Sequence, residues 1–223
     1  MTFDDFKKKF EIYSKIDTTG KLGICESQYE KYLLEIDDEK YFEPTKNDLS
    51  DNIISQYEKN LNQILCFDDI TENQVCFLVK PSFEPEYLLV LEKMPDKFVL
   101  TLTTLTKNYW TVFYANNKIM DIEKKVITSE LNTAIGNKIF KLLGNTIIEA
   151  RQPKAGRYVL DGVVYILSKL SNGEQKIVSK NSPSETSKSG QIIEIMQQLI
   201  NNIANLDDAV LLNIETKITA VQA

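Results

Sequence analysis

The chain has 223 residues, of which 43% are hydrophobic and 26% charged, and its formal net charge is −6. These values are ordinary for a globular protein and exclude a chain that is disordered throughout. No apolar run approaches the roughly 20 residues of a membrane helix, so we expect no membrane insertion. The opening residues MTFDDFKKKF contain no apolar segment of a secretory signal, so we expect a cytoplasmic location.

The charge is unevenly distributed. Residues 1–72 contain 17 acidic residues and nine lysines, whereas residues 73–223 contain 15 acidic and 17 basic residues. An acidic surface repels nucleic-acid phosphates, so we expect no nucleic-acid partner and favour a basic protein as partner. The alternative is that the acidity only keeps a cytosolic protein in solution. The 24 lysines against two arginines are typical of an AT-rich genome and indicate a bacterial source.

The first third of the chain is predicted to be helical. Thr2, with Asp5 three residues later, is a candidate N-cap for a first helix. Apolar residues at helical spacing then predict this helix and two more. The residues that carry this spacing lie in the ranges Phe3–Tyr13, Glu26–Asp37 and Leu49–Leu65.

The middle of the chain changes to the composition of strands. Segments rich in Val, Leu, Thr and aromatic residues are separated by connections too short for crossover helices, which predicts antiparallel neighbours. Phe98, Leu100 and Leu102 are expected to share one face of their strand. The predicted strands are Val75–Lys80, Glu86–Glu92, Lys97–Leu105, Tyr109–Ala115 and a fifth around Lys118–Val126.

The last part returns to helices around one hairpin. A helix is predicted over Ser129–Leu143, ended by Gly144. Asn172-Gly173 is a hairpin turn signal, and an amphipathic helix carries Ile192 to Ile203. The segment Leu206–Val221 is open between helix and strand, with helix favoured by the acidic residues at its start. The hairpin strands are predicted over Arg157–Leu170 and Glu174–Lys180.

This order of elements predicts an α+β fold: N-terminal helices, an antiparallel sheet meander, then a helix, a β-hairpin and C-terminal helices. No linker composition divides the chain, so we expect a single domain over residues 1–223. A helical N-terminal subdomain over 1–72, packed on a sheet-plus-helix core over 73–223, is compatible with the same pattern.

The sequence lacks the residues of several common active sites. It contains no histidine, which excludes Ser-His-Asp and Cys-His constellations and histidine-bound zinc. It contains neither a Cys-x-x-Cys motif nor the glycine patterns of phosphate-binding loops. The three cysteines Cys25, Cys66 and Cys76 are expected to be reduced and buried. We therefore expect no catalytic residues, no metal and no cofactor, with a carboxylate-dependent enzyme as the alternative.

Two groups of residues are candidates for binding a protein partner. Acidic residues in the N-terminal third are expected to steer a basic partner towards the chain. The aromatic run that begins at Tyr109 offers Trp110 or Tyr114 as an anchor, although a core role for this run is the competing interpretation. The acidic candidates are Asp37, Asp38, Glu39, Asp68, Asp69 and Glu72.

A resemblance bears on the class of partner. Leu160-Asp161-Gly162-x-x-Tyr165, followed by a turn, Ser182-Pro183 and an amphipathic helix, resembles the C-terminal part of small bacterial proteins encoded beside toxins, including immunity proteins. The resemblance implies a non-enzymatic protein that binds and neutralises a toxin, but it assigns no binding residue. The alternative interpretation of the motif is an ordinary hairpin, in which Asp161-Gly162 forms a bend. An adaptor or chaperone of a secretion system is the alternative function.

Overall fold

The computed structural model describes residues 26–45, 53–116, 122–155 and 161–222, together with Thr2 and Asp5. Over these residues the chain forms six helices and seven strands, interleaved along the sequence. The helices are α1 (Glu26–Asp38), α2 (Ile53–Leu65), α3 (Tyr109–Asn116), α4 (Thr133–Ile148), α5 (Lys188–Asn202) and α6 (Asp208–Gln222). The strands are β1 (Glu43–Pro44), β2 (Gln74–Pro81), β3 (Tyr87–Lys93), β4 (Phe98–Leu105), β5 (Lys124–Leu131), β6 (Val163–Ser171) and β7 (Glu174–Asn181).

The strands form one antiparallel sheet in the order β1-β7-β6-β2-β3-β4-β5. The predicted α+β class is confirmed. The two-residue strand β1 joins the first part of the chain to this sheet through its pairing with β7. The proposed subdomain boundary near residue 72 stays a prediction.

Helices cover both faces of the sheet, and alternate residues of each strand supply the two cores. Phe77 on β2 points to the core under α4, α5 and α6, whereas Leu78 points to the core under α2 and α3. Phe98, Leu100 and Leu102 share the first of these cores, as their spacing predicts. Burial of one such side chain contributes about 1.5–3 kcal/mol, so both cores hold the sheet in place.

Several predicted elements are confirmed. Strands β2, β3, β4 and β7 and helices α1, α2 and α5 lie where the hydrophobic spacing places them, apart from a few terminal residues. Asn172 and Gly173 have φ values of 53° and 75°, the left-handed conformation of a tight hairpin turn. Thr2 and Asp5 exchange the hydrogen bonds of an N-terminal cap. The remainder of that first predicted helix lies outside the described residues.

The largest error concerns Tyr109–Ala115, which is predicted as a strand and is helix α3. Aromatic and β-branched residues favour strands, but here tertiary contacts at the N-terminus of α3 override that tendency. The segment Leu206–Val221 resolves in favour of helix, as α6.

The boundaries around β5 and α4 also differ from their predictions. The fifth strand covers Lys124–Leu131 in the described residues, and residues 118–121 of its predicted range, Lys118–Val126, lie outside them. The next helix begins four residues later than expected. That helix continues through Gly144 to Ile148, since buried residues beyond the glycine keep the helix packed on the sheet. Its first turn passes so close to β4 that a Cβ on Gly136 would lie 2.2 Å from the Phe98 ring. Among the described helices, none is long and apolar enough to cross a membrane.

Candidate functional site

An open groove with aromatic walls lies on the face of the sheet that carries α2 and α3. Its volume is about 750 Å³, within the range of ligand-binding clefts. Helix α2 supplies Ile54 and Tyr57, and α3 supplies Trp110 and Tyr114. The loop after β2 contributes Phe83, and the bend before β6 contributes the exposed carboxylate of Asp161. The remaining lining residues are Glu58, Lys80, Pro81, Ser82, Thr111, Ala115, Asp161 and Val164.

The aromatic walls are partly stacked and partly open to solvent. The rings of Trp110 and Tyr114, one helical turn apart, stack with centroids 5.9 Å apart. Trp110 also meets the ring of Tyr57 edge-on, with centroids 5.0 Å apart. Trp110 is half-buried. Its exposure is therefore intermediate between that of a core residue and that of an exposed anchor, the two roles predicted for it. Tyr114 is 64% exposed and Phe83 is 80% exposed.

The buried carboxylate of Glu86 holds the two helices of the groove together. It accepts hydrogen bonds from the Tyr57 hydroxyl at 2.7 Å and from the backbone N–H groups of Tyr109 and Trp110 at 2.7 and 3.2 Å. Those two N–H groups belong to the first two residues of α3, and a negative charge is favourable at the N-terminus of a helix. Burial, with the adjacent Glu86 charge as a second cause, raises the pKa of Tyr57 far above its usual value. The phenol therefore stays protonated and keeps donating to Glu86.

Two further residues, Asn108 and Ser82, fix the start of α3 and the loop that carries Phe83. Asn108 caps α3 by accepting from the Thr111 N–H at 2.9 Å, and its amide donates to the Glu84 carbonyl at 2.7 Å. Ser82 donates to the Gly162 carbonyl at 2.8 Å and accepts from the Gly162 N–H at 3.1 Å. Asp161 and Gly162 form the bend that one interpretation of their motif predicts. Phe83 is thus held at the groove by a loop tied to β6.

The charges in the groove do not balance. The Lys80 ammonium lies 2.6 Å from the Glu58 carboxylate, so these two charges offset each other. Asp161 is exposed and has no ion pair with any described residue. The groove therefore presents apolar walls with one negative charge at its rim.

The first acidic candidates, Asp37, Asp38 and Glu39, form an internal junction at the end of α1. Asp37 pairs with Arg151, and Lys154 lies 3.2 Å from the same carboxylate oxygen. The hydrogen bond from Arg151, with a further one from Lys154, lowers the pKa of Asp37 to about 2. Its charge is thus already matched inside the molecule.

Asp38 and Glu39 complete this junction. Asp38 is 8% exposed and accepts the backbone N–H groups of Lys154 and Ala155, both at 2.8 Å. The buried Lys180 ammonium donates to the Asp38 carbonyl and to the Glu43 carboxylate, both at 2.9 Å. The Ser189 hydroxyl donates to the Glu39 carbonyl. The junction therefore ties α1 to the segment after α4, to β7 and to the start of α5.

The second acidic candidates lie elsewhere. Asp68, Asp69 and Glu72 are exposed in the turn that follows α2, beyond the buried anchor Phe67. The Asp68 carboxylate accepts from the Asn62 amide at 3.2 Å. The structure thus separates the acidic candidates into a partly buried junction and a solvent-facing turn. Of the predicted binding residues, it brings only Trp110 and Tyr114 together in the groove.

The groove and the buried contacts beneath it include residues that the sequence does not single out. Ile54, Phe83 and Glu86 were not among the candidates, although Phe83 has a detectable signal: a large aromatic residue between Pro81-Ser82 and Glu84-Pro85, where turn residues are expected. Glu86 has no such signal, because it reads as the first residue of a strand. Its partners become neighbours only in the fold.

The remaining candidate chemistry is limited in the described part of the chain. No group of three or more cysteine or carboxylate side chains there is placed to hold a metal ion. Cys76 is buried, which raises the pKa of its thiol to about 12, whereas Cys66 is exposed, so the expectation of burial is wrong for Cys66. Cys25 lies outside the described residues.

Comparison with known proteins does not extend this description. No protein-family model matches the chain, and neither a curated protein nor a solved structure is significantly similar to it.

Proposed function

We propose that this chain is a non-enzymatic binding protein of the bacterial cytoplasm that captures a segment of a basic protein toxin in the aromatic groove and neutralises it. One observation carries the proposal: two strongly exposed aromatic side chains, Phe83 and Tyr114, converge on one groove with a rigid base. Aromatic side chains in such positions dominate the binding energy of many protein interfaces.

The base of the groove is built to keep its shape before a partner arrives. Glu86 ties α2 to α3, and Ser82 ties the Phe83 loop to β6. A preorganised surface loses little conformational entropy on binding, so more of the contact energy appears as affinity. The exposed rings of Phe83 and Tyr114 are the parts that a partner would cover.

The chemistry of the groove defines the partner segment. Apolar walls accept an aliphatic or aromatic side chain, and the Asp161 carboxylate at the rim suits a neighbouring lysine or arginine. The net charge of −6 favours encounter with a basic protein. Steering is assigned to the exposed Asp68, Asp69 and Glu72, since Asp37 is ion-paired and Asp38 is buried.

The test begins with the basic protein encoded beside this chain in its genome. The two proteins are mixed, and association and dissociation rates are measured for wild type and for Phe83→Ala and Tyr114→Ala. We expect each variant to weaken binding about tenfold or more, mainly through faster dissociation, because about 1.4 kcal/mol of contact energy is a factor of ten. Trp110→Ala is expected to lower both affinity and stability, since this ring also packs on Tyr57.

The matched control is Leu212→Ala, which removes a side chain with 65% exposure on α6, outside the groove. It is expected to bind like wild type. The groove proposal fails if Phe83→Ala and Tyr114→Ala also bind like wild type while their circular dichroism spectra show intact folds.

The same groove favours a second candidate, an adaptor or chaperone of a secretion system, because such proteins hold apolar client segments. The two candidates differ in the state of the partner. Neutralisation predicts that the bound toxin loses its activity in proportion to the complex formed, whereas a chaperone releases a client that is active. An activity titration of the partner against this chain separates them.

A further inference from the structure

Strand β5 is an open edge of the sheet. In the described part of the chain it pairs with β4 alone, and six of its eight residues are exposed. Val126 and Ile127 are 59% and 40% exposed. The strand, Lys124–Leu131, contains neither proline, which cannot donate to a strand ladder, nor glycine, which weakens a strand. Among the described residues, no strand pairs with the outer backbone groups of β5, so we consider what strand could bind there.

One hydrogen bond beyond the strand shows which backbone groups face outward. The Thr106 N–H donates to the Glu123 carbonyl at 3.0 Å, continuing the register that pairs Leu105 with Lys124. In an antiparallel ladder, residues that bond to one neighbour alternate with residues that bond to the other. The N–H and C=O groups of four residues therefore point away from β4: Lys124, Val126, Thr128 and Glu130.

We propose that a second copy of this chain pairs with β5 through its own β5, antiparallel, with the twofold axis between the two Ile127 residues. Such an axis must be perpendicular to the sheet, so facing residues lie on the same face in both copies and their numbers differ by an even step. With Ile127 facing its own counterpart, Lys124 faces Glu130 twice, and Val126 faces Thr128 twice.

Charge complementarity selects this register over its neighbours. Centring the axis on Thr128 would place Glu130 opposite Val126, and centring it on Val126 would place Lys124 opposite Thr128. Of these three registers, only the one centred on Ile127 places Lys124 opposite Glu130. Cross-strand pairs of opposite charge are favourable.

The existing contacts of both charged residues are compatible with the pairing. Glu130 accepts from Lys97 of its own chain, and its carboxylate has lone pairs for a second ammonium group. The Lys124 ammonium donates to the Ile64 carbonyl at 2.8 Å and has two further protons to donate. The dimer would also cover the exposed faces of Val126 and Ile127.

Disulfide trapping tests the register. In a Cys25→Ser, Cys66→Ser background, Ile127→Cys places two thiols in a non-hydrogen-bonded pair, where Cα atoms are about 4.5 Å apart and a disulfide can form. Lys125→Cys is the matched control: it lies on the same face, but its counterpart would be about 13 Å away along the strand at about 3.3 Å per residue. We expect at least tenfold faster covalent dimer formation for Ile127→Cys under mild oxidation.

Charge exchange tests the pairing in the untrapped protein. Analytical ultracentrifugation over a concentration series is expected to show a dimer, and Lys124→Glu or Glu130→Lys is expected to weaken it at least tenfold. The double variant Lys124→Glu, Glu130→Lys restores the opposite charges and is expected to recover dimerisation to within about threefold of wild type. A wild type that stays monomeric, or cross-linking of Lys125→Cys as fast as Ile127→Cys, would overturn the proposal.

Discussion

The acidic junction and the aromatic groove use charge in opposite ways. At the junction, the consecutive acidic residues Asp37 and Asp38 look like a surface patch in the sequence. Within the fold, Arg151 and Lys154 pair with Asp37, and two backbone N–H groups donate to Asp38. At the groove, the sequence gives no signal for the Glu86 carboxylate, yet this group links α2 to α3, the helix that carries Tyr114. Clustered charge here supports the fold, while the walls of the groove are largely apolar.

The largest effect is expected from removing the carboxylate under the groove. Glu86→Ala leaves the Tyr57 hydroxyl, one buried N–H group and one partly buried N–H group without an acceptor. We expect this change to lower the free energy of unfolding by about 3–5 kcal/mol. Urea denaturation measures this loss. The neighbouring Glu84→Ala, which removes an exposed side chain, is expected to change stability by no more than about 0.5 kcal/mol.

This prediction is contradicted if both variants unfold at the same urea concentration. Glu86→Gln sharpens the result, since the amide keeps one acceptor oxygen and is expected to fall between wild type and Glu86→Ala. An intermediate value would show that the hydrogen bonds, and not only the packing of the side chain, stabilise the groove.

The same contrast explains how much of the fold the sequence predicts. Strands β2, β3 and β4 follow from local alternation, and the Asn172-Gly173 turn follows from backbone preference. Helix α3 does not follow from the local sequence, because Tyr109–Asn116 has the composition of a strand. In the fold, Glu86 and Asn108 accept hydrogen bonds from N–H groups in the first turn of this helix. A local pattern cannot contain a partner that lies more than 20 residues away in the chain.

The same distinction applies to the candidate site, where local sequence identifies some residues but not their contacts in the fold. Trp110 and Tyr114 of the aromatic run both line the groove, but in a different geometry from the predicted one. As strand residues they would share a face, whereas as helical residues one turn apart they stack. The acidic run at Asp37 and Asp38 lies at the junction, and the sequence does not reveal that Arg151 and the N–H groups at residues 154 and 155 contact it.

A smaller loss of stability is expected at the junction. Asp38→Ala removes the acceptor of two partly buried N–H groups, which we expect to cost about 2–3 kcal/mol in urea denaturation. The matched control is Asp69→Ala, an exposed carboxylate in the turn after α2, with an expected change within about 0.5 kcal/mol. Equal effects of the two substitutions would place Asp38 among the solvated surface charges and break the distinction between junction and surface.

The smallest effect concerns the pH dependence that Asp37 gives to the junction. The Arg151 and Lys154 hydrogen bonds lower the folded-state pKa of Asp37 from its ordinary value of 3.8 to about 2. A group whose pKa is lower in the folded state stabilises the fold above its unfolded pKa, and this contribution is lost as the pH falls towards the folded value. We therefore expect the urea midpoint of wild type to exceed that of Asp37→Asn at pH 5, and the difference to shrink between about pH 4 and about pH 2.

The control is Asp69→Asn, which also removes one negative charge but has no ion pair with any described residue. Its midpoint is expected to stay close to that of wild type at pH 5. A difference between wild type and Asp37→Asn that is constant from pH 5 to pH 2 would show that Asp37 contributes through its shape alone. The charge would then be no more important at the junction than in the exposed turn.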